Sequence, residues 1–346
     1  MACRRDDAFA TVYAFALLAA TGCATSGAPA AVGASGAAFA GIAATTAALY
    51  KAVDDATADA YVAQALLAGT KPAMSQSCFM PDHTVATRPS VLANPPYPAA
   101  AIAQRKLAVG ALVAYADVLA SVVDETKPLD AANAAANRAA AAHDAAARAA
   151  ADFARAAAAF RAAANEHENG DLFIEDVAAT LKSGAQHIAQ RDLKSRKRTV
   201  VALAPVVEKL TGILRDDANR AKNEALAATA LAERRWLAYA NRGAPPSAAE
   251  RQSLPSCFEP AVPSRNADAS APEPPSASPS AAIAARLADI RSRQAALRSM
   301  HLGDFFSAYI ALDQAAVSAL SGGDPTTFAD ALTRAETAAA HANLSR

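Results

Sequence analysis

The sequence predicts an all-α protein, an elongated antiparallel bundle of long alanine-rich helices with coiled-coil-like seams and a C-terminal group of shorter helices. Three observations predict it. Alanine supplies 103 of the 346 residues, and alanine is the best helix former because it loses no side-chain entropy on ordering. Apolar positions recur every three and four residues over long stretches, the spacing of one helix face. Alternating β-branched runs, the mark of strands, are nearly absent. Each alanine carries little hydrophobic surface, so stability has to be collected over length, through small side chains that let helices approach closely.

The first helix is expected over residues 37–67. Phe39, Ile42, Thr46, Leu49, Val53, Ala56, Ala60, Ala63 and Leu67 step by three and four without a break, a narrow seam of coiled-coil type. A Pro-rich stretch over 71–98 follows. A second helix over 99–123 places Leu112, Tyr115, Leu119 and Val122 on one face. The third, over 130–166, carries a ladder of Ala139, Ala142, Ala146, Ala149, Phe153, Ala156, Phe160 and Ala163, with Asp144 and Arg148 at ion-pair spacing. Its charges exclude a membrane span, and Asn169-Gly170 reads as the turn after it. The fourth helical region covers 171–241. There Pro205 removes a backbone donor and is expected to kink or split the helix.

Residues 243–280 read as a Pro/Ser-rich linker. Three shorter helices then occupy 281–346, marked by Ile283, Leu287, Ile290 and Leu297, by Phe306, Leu312, Val317 and Leu320, and by Phe328, Leu332, Ala335 and Ala339. Between the last two, Gly322-Gly323-Asp324-Pro325 supplies a helix stop, an N-cap and a proline at the first helical position. One such hairpin makes no solenoid. Residues 37–242 are therefore expected to form the main bundle, with the C-terminal helices free to pack onto it.

At the amino terminus Arg4 and Arg5 precede an apolar stretch from Ala8 to Gly22. Its length suits a signal-peptide core and falls short of the ~20 residues of a spanning helix. It ends in Ala20-Thr21-Gly22-Cys23, which resembles the lipobox of bacterial lipoproteins, with Ala20 where leucine is usual. The resemblance implies removal of residues 1–22 as a signal peptide, lipid on Cys23, and residues 23–36 as a flexible tether. It further implies an exported protein anchored in a membrane and facing the periplasm. Ala24, a non-acidic residue after the cysteine, implies the outer membrane. Beyond the leader no transmembrane helix is expected.

Cysteine usage agrees with export. Of Cys3, Cys23, Cys78 and Cys257, cleavage removes the first and lipid consumes the second. Cys78 and Cys257 remain, each in a Ser-Cys-Phe-x-Pro context inside a Pro-rich loop. They are expected to form a disulfide, the alternative being two free thiols.

The charge is balanced, with 33 Lys+Arg against 33 Asp+Glu and a pI near 7.0. That disfavours nucleic-acid binding through phosphate neutralisation. The six histidines are scattered with no metal-ligand spacing, and nucleophile motifs and phosphate-binding glycine loops are missing. No cofactor, metal, small-molecule substrate or enzyme activity is expected. The adjacent acids Asp54-Asp55 and Asp216-Asp217 point about 100° apart on a helix, so they read as solvated faces rather than acid/base pairs. Arg191, Lys194, Arg196, Lys197 and Arg198 form the most distinctive charged run. It could meet anionic lipid head groups, an envelope polymer or an acidic partner, or simply be a solvated face. Trp236 and Tyr239 read as helix-core aromatics.

The function expected is a lipid-anchored envelope scaffold that binds another protein or itself. The alternatives are an immunity-type lipoprotein that sequesters a periplasmic toxin and an envelope hydrolase with a pocket assembled from distant helices.

Overall fold

The computed structural model describes residues 36–68, 96–126, 132–166, 175–242 and 279–343. Among these there is no strand; the protein is an all-α helical bundle. After a short helical turn at 36–39 come α1 (Ile42–Leu67), α2 (Ala99–Asp124), α3 (Ala132–Glu166), α4 (Glu175–Gln190), α5 (Leu193–Ala240), α6 (Pro279–Ser299), α7 (Leu302–Leu320) and α8 (Pro325–Asn343).

The expected seam organises α1: Phe39, Ile42, Thr46, Leu49, Val53, Ala56, Ala60 and Ala63 are all buried, and Leu67 is partly so. Neighbours in the chain run antiparallel where their contacts show it. Tyr115 of α2 packs against Phe153 of α3 with the rings tilted and their centroids 5.2 Å apart, while nearer the α2–α3 turn Glu125 meets His143. Helices α1 and α5 run parallel instead: Tyr50 contacts Asp217, and further on Leu66 contacts Arg242.

The fourth helical region is divided, but not at Pro205. The break falls at Arg191 and Asp192, where the Asp192 carboxylate accepts a hydrogen bond from the Ser195 amide at 2.9 Å and starts α5. The 48-residue α5 passes through Pro205 unbroken. Pro205 and Val201 are both exposed, so the Val201 carbonyl that loses its helical donor there faces water. Helix α4 then packs on α5 so tightly that a Cβ on Gly184 would lie 2.5 Å from the Leu203 side chain.

By length and composition Gly36–Gln64 and Ala99–Asp124 are both apolar enough to cross a membrane. The second, with mean hydropathy 1.8, is 67% buried over its most apolar stretch. Its apolar surface is largely covered because α1, α3, α5 and α7 pack against it.

The C-terminal helices share the main core. Phe305, Phe306, Tyr309, Leu312, Phe328 and Ala335 pack in one cluster with residues from α1 to α5. Gly322 (φ 97°) ends α7, and Asp324 caps α8 through the Thr326 amide at 2.9 Å. A smaller cluster at the other end joins Val62, Leu66, Trp236, Tyr239, Ile283 and Ile290.

Candidate functional site

Cys23, Cys78 and Cys257 lie outside the described residues. The helices that lead to the last two do end together, for Arg242 donates to the Leu66 carbonyl at 3.2 Å. Cys78 is ten residues beyond Ala68 and Cys257 fifteen beyond Arg242 in the sequence.

The basic run divides. Arg191, Lys194 and Arg198 are exposed and Lys197 half-buried, whereas Arg196 is 2% exposed. Its guanidinium turns inward, 3.6 Å from Glu125 and 3.0 Å from the Nδ1 of His143. Arg196 thus ties α5 to the α2–α3 turn and is not part of a surface patch. Asp192 adds a carboxylate among the remaining cations, its acidity strengthened by the hydrogen bond from the Ser195 amide.

The acidic pairs also divide, against the expectation of solvated faces. Asp55 and Asp216 remain outside, but Asp54 and Asp217 are buried and belong to one polar node where α1, α2 and α5 cross. At its centre Asp217 accepts hydrogen bonds from the Tyr50 hydroxyl, from Arg105 Nε at 2.7 Å and from Arg220 Nη2 at 2.7 Å. The Arg105 guanidinium stacks over the Tyr50 and Tyr97 rings, 4.7 and 5.2 Å from their centroids. Each such contact adds about 1 kcal/mol or more when water is excluded. Tyr97 donates its hydroxyl to Glu224 at 2.8 Å and its amide to Asp54 at 3.0 Å. Burial pushes Asp54 up to about 6 and Tyr97 up to about 12, Glu224 adding to the second shift. Burial, reinforced by Asp217, also raises the Tyr50 hydroxyl far above its ordinary range. These shifts hold the tyrosines as donors. Two further acids are buried among the described residues: Asp59 of α1, gripped by Arg286 and Arg293 of α6, and Asp313 of α7.

Two surface cavities lie elsewhere. One, between α7 and α8, is lined by His301, Asp304, Arg334 and His341, with His301 Nδ1 3.0 Å from Asp304. The other is a groove of about 410 Å³ between α1 and α5, lined by Thr57, Ala60, Tyr61, Gln64, Ala228, Leu231 and Arg235. Its walls are predominantly apolar. Tyr61 (38% exposed) and Leu231 (36%) flank it, and they are two of the three large hydrophobic residues exposed among the described residues. Arg235 donates to the Ala60 carbonyl at 2.9 Å and has no carboxylate partner among the described residues. Neither cavity is lined by Asp54, Asp217 or Asp313. Among the described residues no cluster of His, Cys, Asp and Glu is arranged to hold a metal ion.

Trp236 and Tyr239 are buried core aromatics, packed edge to face at 6.0 Å. The groove beside them was missed in the sequence because Tyr61 and Leu231 fall off the seams that define the core. An apolar residue off its helix's seam is the signal that finds it. No known protein family, curated protein or solved structure matches the chain.

Proposed function

We propose that the chain is a lipid-anchored cell-envelope protein whose helical bundle docks a partner protein along the α1/α5 groove. The observation that carries the docking role is the exposure of Tyr61 and Leu231 on a predominantly apolar groove that Ala60 and Ala228 also line. Small lining residues let a third helix approach two others closely, and the flanking side chains fit between its apolar residues. The partner chemistry is an amphipathic helix with an apolar stripe and an acidic residue placed to meet Arg235. The anchor rests on the Cys23 lipobox; export, the Cys78–Cys257 disulfide and the outer-membrane location rest on the same reading of the sequence.

Two measurements test this. A photo-crosslinking phenylalanine analogue in place of Tyr61, in the full chain in its native envelope, should give one heterologous adduct. Leu231→Glu should abolish that adduct and Arg235→Glu should weaken it. An adduct of twice the chain's mass would make the occupant a second copy and overturn the heterologous partner; no adduct, or one indifferent to Leu231→Glu, would overturn docking. Separately, Cys23→Ala should move the protein from the membrane fraction to the soluble one. Unchanged attachment would remove the anchor.

A further inference from the structure

Asp313 is a fully buried acid with no ion-pair partner among the described residues. It occupies the inner stripe of α7 with Phe305, Phe306, Tyr309, Leu312 and Ala316, and it is 0% exposed. No donor meets either carboxyl oxygen in good hydrogen-bond geometry among the described residues, and the one hydroxyl within reach is that of Tyr115. The groups facing it are an acid and hydroxyls. Glu208 of α5 repels its ionised form, and the Tyr115 hydroxyl of α2 tempers that effect while itself donating to the Val200 carbonyl at 3.3 Å. One turn back, Tyr309 donates to the Leu112 carbonyl of α2, with Asp117 of α2 nearby. Among the described residues no cation enters this set.

We propose that Asp313 is a proton-dependent latch: its neutral carboxyl lets the α7–α8 hairpin dock on α2 and α5, and its ionisation loosens that hairpin. A neutral carboxyl is tolerated in an apolar interface, whereas an unpaired carboxylate there must find water or neutralise. Undocking α7 gives it water. Helix α8 follows α7, because Phe328, Ala331 and Ala335 of α8 share its core.

Burial first, and then Glu208, push Asp313 up to about 7. In the undocked hairpin the carboxyl returns to its ordinary value of 3.8. Undocking is therefore unaffected by pH below the ordinary value. It grows up to tenfold per pH unit between about 4 and about 7, then levels off once both forms are ionised. Acid favours the docked hairpin.

Hydrogen exchange on the full chain, corrected for the intrinsic effect of pH on exchange, reads this directly. Opening of α7 amides should rise by about a hundredfold or more across that window, relative to amides in the middle of α5. In Asp313→Asn the rise should vanish. Glu208→Gln should make it smaller and bring its plateau to lower pH. A carbon-13 titration of the Asp313 carboxyl in the unmodified protein gives a second readout that needs no variant. A flat α7 profile, an undiminished rise in Asp313→Asn, or an Asp313 carboxyl titrating in the ordinary carboxylate range would each overturn the latch.

Discussion

Asp217 and Asp313 are both buried carboxylates on apolar helix stripes, and they differ in what surrounds them. Asp217 has a hydroxyl and two guanidinium groups, so its desolvation is offset by attraction and its lone pairs are occupied. Asp313 has a second acid and one hydroxyl, which it shares with the Val200 carbonyl. The same side chain is therefore a fixed crosslink among α1, α2 and α5 in one region and a titratable weak point under α7 in the other. What decides is the inventory of partners, not depth of burial.

The largest effect should come from breaking the crosslink. Asp217→Ala leaves Arg105 buried among Tyr50 and Tyr97 with its carboxylate removed. It should cost about 3–5 kcal/mol in urea unfolding; a loss below about 1 kcal/mol would mean the node contributes nothing net. Asp313→Asn should act in the opposite direction near neutral pH. The shift from 3.8 to about 7 sets an upper bound of about 4 kcal/mol. The buried amide that replaces the acid has its own unmet hydrogen bonds, so a gain of about 2 kcal/mol is expected. Tyr50→Phe removes one donor from Asp217 and leaves two, at a cost of about 1.5 kcal/mol. Arg220→Ala should be the mildest, about 0.5 kcal/mol, because the Arg220 side chain is 54% exposed and its pair with Asp217 is screened. An inverted order for these last two would show that charge, not the hydroxyl, dominates the node.

Much of the fold was legible because helical periodicity reports burial directly. The α1 seam and the Asp324-Pro325 start of α8 were read residue by residue. The break in the fourth helical region was misplaced. Proline's missing donor costs a helix less where the orphaned carbonyl can be solvated, and both Pro205 and Val201 are exposed. Asp192, with its cap on Ser195, was the stronger boundary signal.

The candidate sites were less legible. Adjacent helical residues do point about 100° apart, which rightly excluded facing acid pairs at Asp54-Asp55 and Asp216-Asp217. The same geometry allows one member of each pair to face inward, and Asp217 continues the stripe of Leu210, Leu214, Ala221 and Ala225. Asp313 likewise interrupts the stripe of Phe305, Tyr309 and Ala316. A charged residue at a seam position was the available signal. Its partners were not available, because Tyr50, Arg105 and Asp217 lie far apart in sequence and only the packing of three helices brings them together.

The contrast between the two acids is tested most directly by urea unfolding of the unmodified protein and Asp313→Asn across the window from about pH 4 to about pH 7. At the acid end the charge contributes little, so Asn should be the less stable of the two by roughly the 2 kcal/mol its unmet amide hydrogen bonds cost. The difference should then move steadily in favour of Asn, to a net gain of about 2 kcal/mol near neutrality. A difference that stays constant across the window would contradict it, since the variant would then be acting through packing rather than through the charge.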